Sequence, residues 1–357
     1  MEALAMSNDF WNNRQVLITG HTGFKGSWLY LMLNRLGANV HGVALQPDPN
    51  SLFCTLDLES GFASSNYLDI RNEVELTELF EKISPEIVFH LAAQPIVLTG
   101  YLNPTDTFST NITGTINVLE SLKNLAKKPR VIIVVTSDKC YEVTAESRSF
   151  SESDKLGGSD PYSASKACAE LITKAYYESY FRQEGIGVAT ARAGNVIGGG
   201  DFSSNRLIPD IIRAHSTNSV LTLRNPEATR PWQHVIDPLA GYILLAEKLN
   251  LDAENYSSAW NFGPNYDAQF SVSDIVKKLN HIFPVTIREE LSNYKETHFL
   301  SIDSTKSRKI LGWIPRFDTA ESVELTLQWY QAFVESRDIE ALTSSQIDRY
   351  FAGTNTP

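Results

Sequence analysis

The sequence predicts an α/β fold, a doubly wound parallel sheet followed by a smaller C-terminal domain. Three observations predict it. Short apolar runs alternate with helical patterns from residue 15 to residue 192. Three glycines stand between the first apolar run and the first helix. After residue 195 the alternation gives way to loops rich in Gly, Ser, Asn and Pro.

The elements follow in order. Gln15 to Thr19 is an apolar run ending at Gly20 and reads as a buried parallel strand. Ser27 to Leu36 sets Trp28, Leu29, Met32, Leu33 and Leu36 at helical spacing, and Gly37 stops the helix. Asn39 to Leu45 is a second strand, Asn72 to Ile83 an amphipathic helix, and Ile87 to Leu91 a third strand entered through Pro85. Thr110 to Lys123 reads as a helix, Val131 to Val135 as a wholly apolar strand, Tyr162 to Arg182 as a long helix and Ile186 to Arg192 as a strand. The expected first domain covers 10–194 and is rejoined around 232–262. The second takes 195–231 and 263–350.

Composition excludes several classes. A chain of 357 residues can bury a large core. With 31 Lys and Arg against 42 Asp and Glu, the formal charge is −11, which lacks the basic footprint of nucleic-acid binding. Cys54, Cys140 and Cys168 form neither a disulfide framework nor a CxxC pair, and the seven histidines lack ligand spacing, so no metal is expected. No apolar run nears the ~20 residues of a membrane span. Met1 to Arg14 lacks a signal pattern, so a cytoplasmic protein without a membrane partner is expected. The sequons at Asn111 and Asn255 read as chance, and Met1 and Met6 are both open as the start.

The loop Gly20-His-Thr-Gly23-Phe-Lys-Gly26 carries the first chemistry. The first glycine permits a tight turn, the second lets backbone approach a pyrophosphate, and the third lets helix pack on strand. The helix N-terminus then offers unpaired N–H groups and a favourable dipole to phosphate. This is the arrangement of a Rossmann-type, dinucleotide-binding sheet, with Gly20, Thr22, Gly23, Phe24, Lys25 and Gly26 as candidate contacts and His21 within possible reach of a phosphate or a sugar. The three-three spacing resembles the short-chain dehydrogenase/reductase group. The second strand ends Val43-Ala-Leu-Gln-Pro47, with neither the usual ribose-binding acid nor an Arg for a 2′-phosphate; NAD is expected over NADP. In that group a pair such as Asp69-Ile70 holds the adenine, although Asp69 also suits a helix cap. Leu91, Ala92 and Ala93 resemble the small-residue turn under the dinucleotide, with Gln94 beyond it towards substrate, and Asn111 resembles the Asn that fixes the active-site backbone.

Tyr162 and Lys166 stand four apart on one helical face, and Ser137 follows the apolar strand. A free phenol has a pKa of ~10 and is a poor base at neutral pH. A neighbouring ammonium and an oxidised nicotinamide favour phenolate. This is the Ser, Tyr-x-x-x-Lys set of the same group.

The segment Thr136-Ser-Asp-Lys-Cys-Tyr141 closely resembles the catalytic segment of the sugar-nucleotide 4,6-dehydratases. Their third position is usually Glu; here it is Lys139. With Gly20 to Trp28 and Arg230-Pro-Trp-Gln-His234, that Lys points to the branch acting on CDP-glucose, and the resemblance runs from about Phe10 to Trp313. It implies a hydro-lyase that makes CDP-4-dehydro-6-deoxy-D-glucose with tightly bound NAD, regenerated each cycle. Tyr162 takes the 4-hydroxyl proton, Asp138 protonates the departing C6 hydroxyl, and a base removes the C5 proton. Lys139 serves either as that base, if neutral, or as an electrostatic stabiliser of the enolate. Asn195, Arg206, Arg230, His234 and Arg308 are candidates for holding the nucleotide sugar. The resemblance further implies a homodimer or dimer of dimers, packed through residues 111–123 and 162–182, and a product that feeds 3,6-dideoxyhexose synthesis for surface polysaccharide. The competing readings are a dTDP- or GDP-hexose dehydratase, a 4-epimerase or reductase, and an inert NAD-binding protein. Asp138-Lys139 argues against the epimerase and reductase, and the presence of Tyr162 and Lys166 against the inert protein.

Overall fold

The structure, a computed structural model, describes residues 8–143, 148–265, 270–290 and 300–352. Its centre is a seven-stranded parallel sheet. The strands are β1 (Gln15–Thr19), β2 (Asn39–Ala44), β3 (Ser64–Tyr67), β4 (Ile87–His90), β5 (Val131–Val135), β6 (Gly187–Arg192) and β8 (Ala259–Asn261). Their spatial order is β8-β6-β5-β4-β1-β2-β3. The order reverses between β1 and β4, which opens a crevice at the strand C-termini for a ligand.

Apolar strands buried on both faces explain the sheet. Every residue of β4, β5 and β6 is buried. One core cluster joins β1, β4 and β5 to α1 (Phe24–Arg35) and α6 (Ile236–Leu251); the other packs against α2 (Glu73–Ile83) and α3 (Gly114–Asn124). Edge strand β3, Ser-Ser-Asn-Tyr, is absent from the sequence reading because it has no apolar run. Its register against β2, from His41–Ser64 to Ala44–Tyr67, makes it a strand.

Two expected helices are interrupted. The segment expected at 110–123 begins with a turn of π-helix, Ser109–Thr113, before α3, and the long helix runs as α4 (Pro161–Tyr176) before a second such turn, Tyr177–Phe181. The second half is more helical than its loops suggest. Helix α6 is buried on nearly every side and so shows no amphipathic stripe. This part also contains α5 (Leu207–Thr217), α7 (Thr319–Val334) and α8 (Ile339–Ala352), a nine-residue helix Val272–Asn280, and the parallel pair β7 (Val220–Leu223) and β9 (Thr286–Glu289).

Helix α1 starts three residues earlier than expected, inside the glycine loop. Gly20 has φ +78°, and a Cβ on Gly26 would stand 2.1 Å from the Gly20 carbonyl oxygen. Only hydrogen fits there, so the helix N-terminus sits directly over the end of β1. Gly26→Ala is expected to cost about 3 kcal/mol by overpacking and to abolish dinucleotide binding, read by thermal melting and by fluorescence titration with NAD.

Candidate active site

A cleft of about 630 Å³ lies over the strand ends. It is lined by the glycine loop, the β3–α2 and β4 turns, the end of β5, the start of α4 and the segment 193–232. Gly20, Thr22, Gly23, Phe24, Lys25, Gly26, Asp69, Ile70, Leu91, Ala92 and Ala93 line it, as do Ser137, Asp138, Lys139, Tyr162 and Lys166, and Asn195, Arg206 and Arg230. Residues far apart in sequence therefore meet in one space.

The remaining candidates stand elsewhere. Gln94 does not line the cleft; its side chain is spent on the Ile96 N–H at 2.6 Å and on Thr107 Oγ1 at 2.9 Å, which braces the turn. Asn111 lies behind that turn, its amide paired to both backbone groups of Gln94. His234 is fully buried between Trp28 and Phe317, and Arg308 donates to the Pro264 carbonyl at 3.0 Å. Neither lines the cleft, because burial in the core claims the first and a loop carbonyl the second. His21 also points away, packed on Phe53 and Phe62 and bonded to Ser65 Oγ at 2.8 Å.

The candidate catalytic group is held by the sheet and by α4. Asp160 caps α4, with Pro161 in its first turn, so Tyr162 starts the helix and Lys166 follows one turn on. Burial pushes the Tyr162 phenol up to about 12; the Ser137 hydroxyl bonded to it pulls the other way, Asp138 adds to the rise and Arg206 opposes it. Burial brings Lys166 down to about 8, with Glu170 opposing. Its ammonium meets the Val135 carbonyl at 3.4 Å. Ser137 Oγ donates to Asp138 Oδ1 at 2.9 Å, while the buried Asp138 Oδ2 has no hydrogen-bond partner among the described residues. A Cβ at residue 194 would fall 1.8 Å from that oxygen, so Gly194 makes room for the carboxylate. Lys139 lines the cleft half-buried.

The sequence reading missed the layer beneath. Glu170 accepts from Thr136 Oγ1, from Thr190 Oγ1 at 2.6 Å and from Arg192 Nε and Nη2 at 2.9 and 2.6 Å. Arg192 also donates to the Tyr141 hydroxyl at 2.7 Å. The available signal was spacing: Glu170 stands one helical turn beyond Lys166, on the same face. Asp201 was missed too; it receives Arg206 Nη1 at 2.8 Å.

The charge distribution is uneven. Lys25, Arg71, Lys139, Lys166, Arg206, Arg224 and Arg230 line the cleft against only Asp69, Asp138, Asp201 and Asp210. Lys25 is brought down to about 7 by burial and then by Arg206 and Lys166, with Asp138 opposing. Asp69 ion-pairs with Arg71 at 2.6 Å, and Asn72 rather than Asp69 caps α2. The Gly20–Gly26 cradle, the helix N-terminus and these cations have the chemistry to hold the phosphates of a dinucleotide and of a sugar nucleotide. Among the described residues no group of His, Cys, Asp or Glu is arranged to hold a metal, and no helix is long and apolar enough to cross a membrane.

A family model for GDP-mannose 4,6 dehydratase matches residues 17–326. The chain belongs to that family. The CDP-glucose 4,6-dehydratase of Salmonella typhimurium is 39% identical over 358 residues, covering 98% of this chain and 99% of its own. The dTDP-glucose 4,6-dehydratase of the same organism is 25% identical, covering 89% and 93%. Among solved structures, a dTDP-glucose 4,6-dehydratase double mutant from Streptomyces venezuelae with NAD bound has a TM-score of 0.77 at 21% identity, covering 92% of this chain and 99% of that one. A UDP-glucose 4-epimerase from Thermotoga maritima also gives 0.77 at 21% identity, covering 89% and 99%. The family fold thus serves both reactions, and the chemistry must be argued from the side chains.

Lys166 provides a direct check on the site's electrostatics. Its folded pKa lies below the ~10.4 of an unfolded lysine, so the unfolded chain binds the proton more tightly. The cost of burying this charge is present at neutral pH and is relieved as pH rises from about 8 towards 10. Lys166→Met should melt higher than the parent at pH 7, with the gap narrowing by pH 10, while alcohol oxidation is lost.

Proposed function

We propose that the protein is a hydro-lyase that converts CDP-D-glucose to CDP-4-dehydro-6-deoxy-D-glucose with NAD. The observation that carries this reading is Asp138. It is a buried carboxyl with one unpartnered oxygen, hydrogen-bonded through Ser137 to the site of Tyr162. Epimerisation or simple reduction needs Tyr162 and Lys166 but no further acid, whereas loss of water from C6 needs one. The CDP-glucose assignment rests on Lys139 in the third position and on the likeness to the Salmonella enzyme.

When bound, NAD supplies the hydride acceptor at C4 and the hydride donor at C6. The protein does the rest. Tyr162, as phenolate, takes the 4-hydroxyl proton; Lys166 stabilises that phenolate, and Ser137 orients the hydroxyl. The 4-keto group acidifies C5, Lys139 in its neutral form removes the C5 proton, and Asp138 protonates the departing C6 hydroxyl so that water leaves; a proton then returns to C5 as C6 receives the hydride. Arg206 and Arg230 hold the diphosphate, and Asn195, whose backbone is left-handed at φ 50°, lines the same cleft. In this reading the first domain, 10–194, holds NAD and the second holds the nucleotide sugar. We further place the enzyme in the cytoplasm as a homodimer, for which Leu171 and Tyr180, exposed at the surface of the 161–181 helical segment, offer apolar area.

Incubation with CDP-, dTDP- and GDP-hexoses should give the alkali-induced absorbance of a 4-keto-6-deoxy sugar with CDP-glucose. No product from any of them rejects the reading, and product from dTDP-glucose alone rejects the base assignment. Asp138→Asn should reduce product formation by about a hundredfold while C5 hydrogen exchange with deuterium oxide persists. Lys139→Ala should abolish that exchange; exchange near the parent rate would remove Lys139 as the base.

A further inference from the structure

A row of buried polar side chains runs beneath the cleft without lining it. Thr19 ends β1, His90 ends β4, Thr115 lies in the first turn of α3, Asn111 in the π-helical turn before it, and Ser165 in α4. All five are buried. Four contacts join them, and a fifth ends on the Tyr162 carbonyl: Thr19 Oγ1 to His90 Nδ1 at 2.7 Å, His90 Nε2 to Thr115 Oγ1 at 3.0 Å, Thr115 Oγ1 to the Asn111 carbonyl at 2.8 Å, Asn111 Nδ2 to Ser165 Oγ at 2.8 Å, and Ser165 Oγ to the Tyr162 carbonyl at 2.7 Å.

The direction of every bond is fixed by counting hydrogens. A carbonyl only accepts, so Thr115 spends its single hydrogen on Asn111. Thr115 therefore accepts from His90, whose Nε2 carries the proton. A neutral imidazole then has a bare Nδ1, which takes the Thr19 hydrogen. Thr19 Oγ1 is left to accept, and the Leu91 and Ala92 N–H groups meet it at 3.1 Å each. The Asn111 amide is equally determined. Its Oδ1 takes the Gln94 N–H and its Nδ2 the Gln94 carbonyl, so Nδ2 is what reaches Ser165. Ser165 spends its hydrogen on Tyr162. Burial, and then the Lys166 charge, bring His90 down to about 3, which keeps it neutral.

We propose that Thr19, His90 and Thr115 are positioning residues, joined in a one-way hydrogen-bond chain that locks the Leu91-Ala92 turn under the dinucleotide to the backbone of Tyr162. One end fixes two N–H groups of a turn that lines the cofactor side of the cleft. The other fixes the first turn of the helix that carries the phenol. The π-helical turn is what brings the Asn111 carbonyl and side chain into line between them, consistent with such turns marking functional segments. The chain sets the distance between the two reacting partners without touching either. This inference rests on the catalytic reading of Tyr162, but its first test does not.

That test is long-range proton–nitrogen NMR on protein labelled in histidine, with His90 assigned from the signal that His90→Asn removes or, if that variant does not fold, from the signal that Thr115→Ser shifts. The expected result is an Nε2–H tautomer that does not titrate between pH 5 and 9. An Nδ1–H tautomer, or titration near the ordinary pKa of ~6.5, overturns the chain whatever the enzyme's substrate. The second test separates hydroxyl from packing. Thr115→Val keeps the shape and loses the hydroxyl; Thr115→Ser keeps the hydroxyl and loses the methyl. With CDP-glucose, Thr115→Val should lower kcat roughly tenfold or more with KM within about twofold, and Thr115→Ser should restore kcat. Parent-like kcat in Thr115→Val, or a defect shared by Thr115→Ser, would show that Thr115 only packs.

Discussion

The buried ion pair between Glu170 and Arg192 decides where the reacting groups stand. Both side chains are only 3% exposed. Burial works against the Arg192 charge, but hydrogen bonds and attraction from Glu170 outweigh it and raise its pKa. Such a pair is costly to bring out of water, and it persists because every lone pair finds a donor. Glu170 gathers Thr136 from the end of β5 and Thr190 and Arg192 from β6. Helix α4 is thereby pinned to two strands at the height of Tyr162 and Lys166. The remaining features of the site depend on that attachment, because Ser137 and Asp138 follow directly from β5 and Gly194 follows from β6.

A net charge of −11 coexists with a cleft rich in cations because the two are properties of different surfaces. Seven cations line the cleft, and two of them, Arg71 and Arg206, are paired to the cleft carboxylates Asp69 and Asp201. Lys25 shows how crowded the region is, since burial and two neighbouring cations both weaken its hold on a proton. Bound phosphates would relieve that crowding, so anion binding and the electrostatics of the cleft favour each other.

Much of this was legible in the sequence, for physical reasons. Buried parallel strands are continuous apolar runs, so β1, β4 and β5 could be read directly. The glycine loop and the Tyr162–Lys166 spacing reflect sterics and helical pitch, which one sequence reveals. Other parts follow tertiary context. Strand β3 exists because β2 offers it an edge, and α6 hides its period by being apolar on every side. Gln94, His234 and Arg308 are polar residues that look available in sequence, yet Ile96 and Thr107 claim the first, and neighbours remote in the chain claim the other two. Asp201 and Glu170 escape a reading of the sequence for the complementary reason: helical spacing places Glu170 on the Lys166 face, but an acid has no role until its arginine is placed beside it.

Arg206 illustrates what such placement does. Its guanidinium rests on Asp201, and the Asp201 carbonyl in turn accepts from the Tyr330 hydroxyl. A free arginine gives up about 2 kcal/mol of rotamer entropy when it is fixed. In this protein that loss is incurred on folding rather than on binding. In the proposed role of Arg206, association with a diphosphate would draw on a cation that is already oriented, and a larger share of the interaction would appear as affinity.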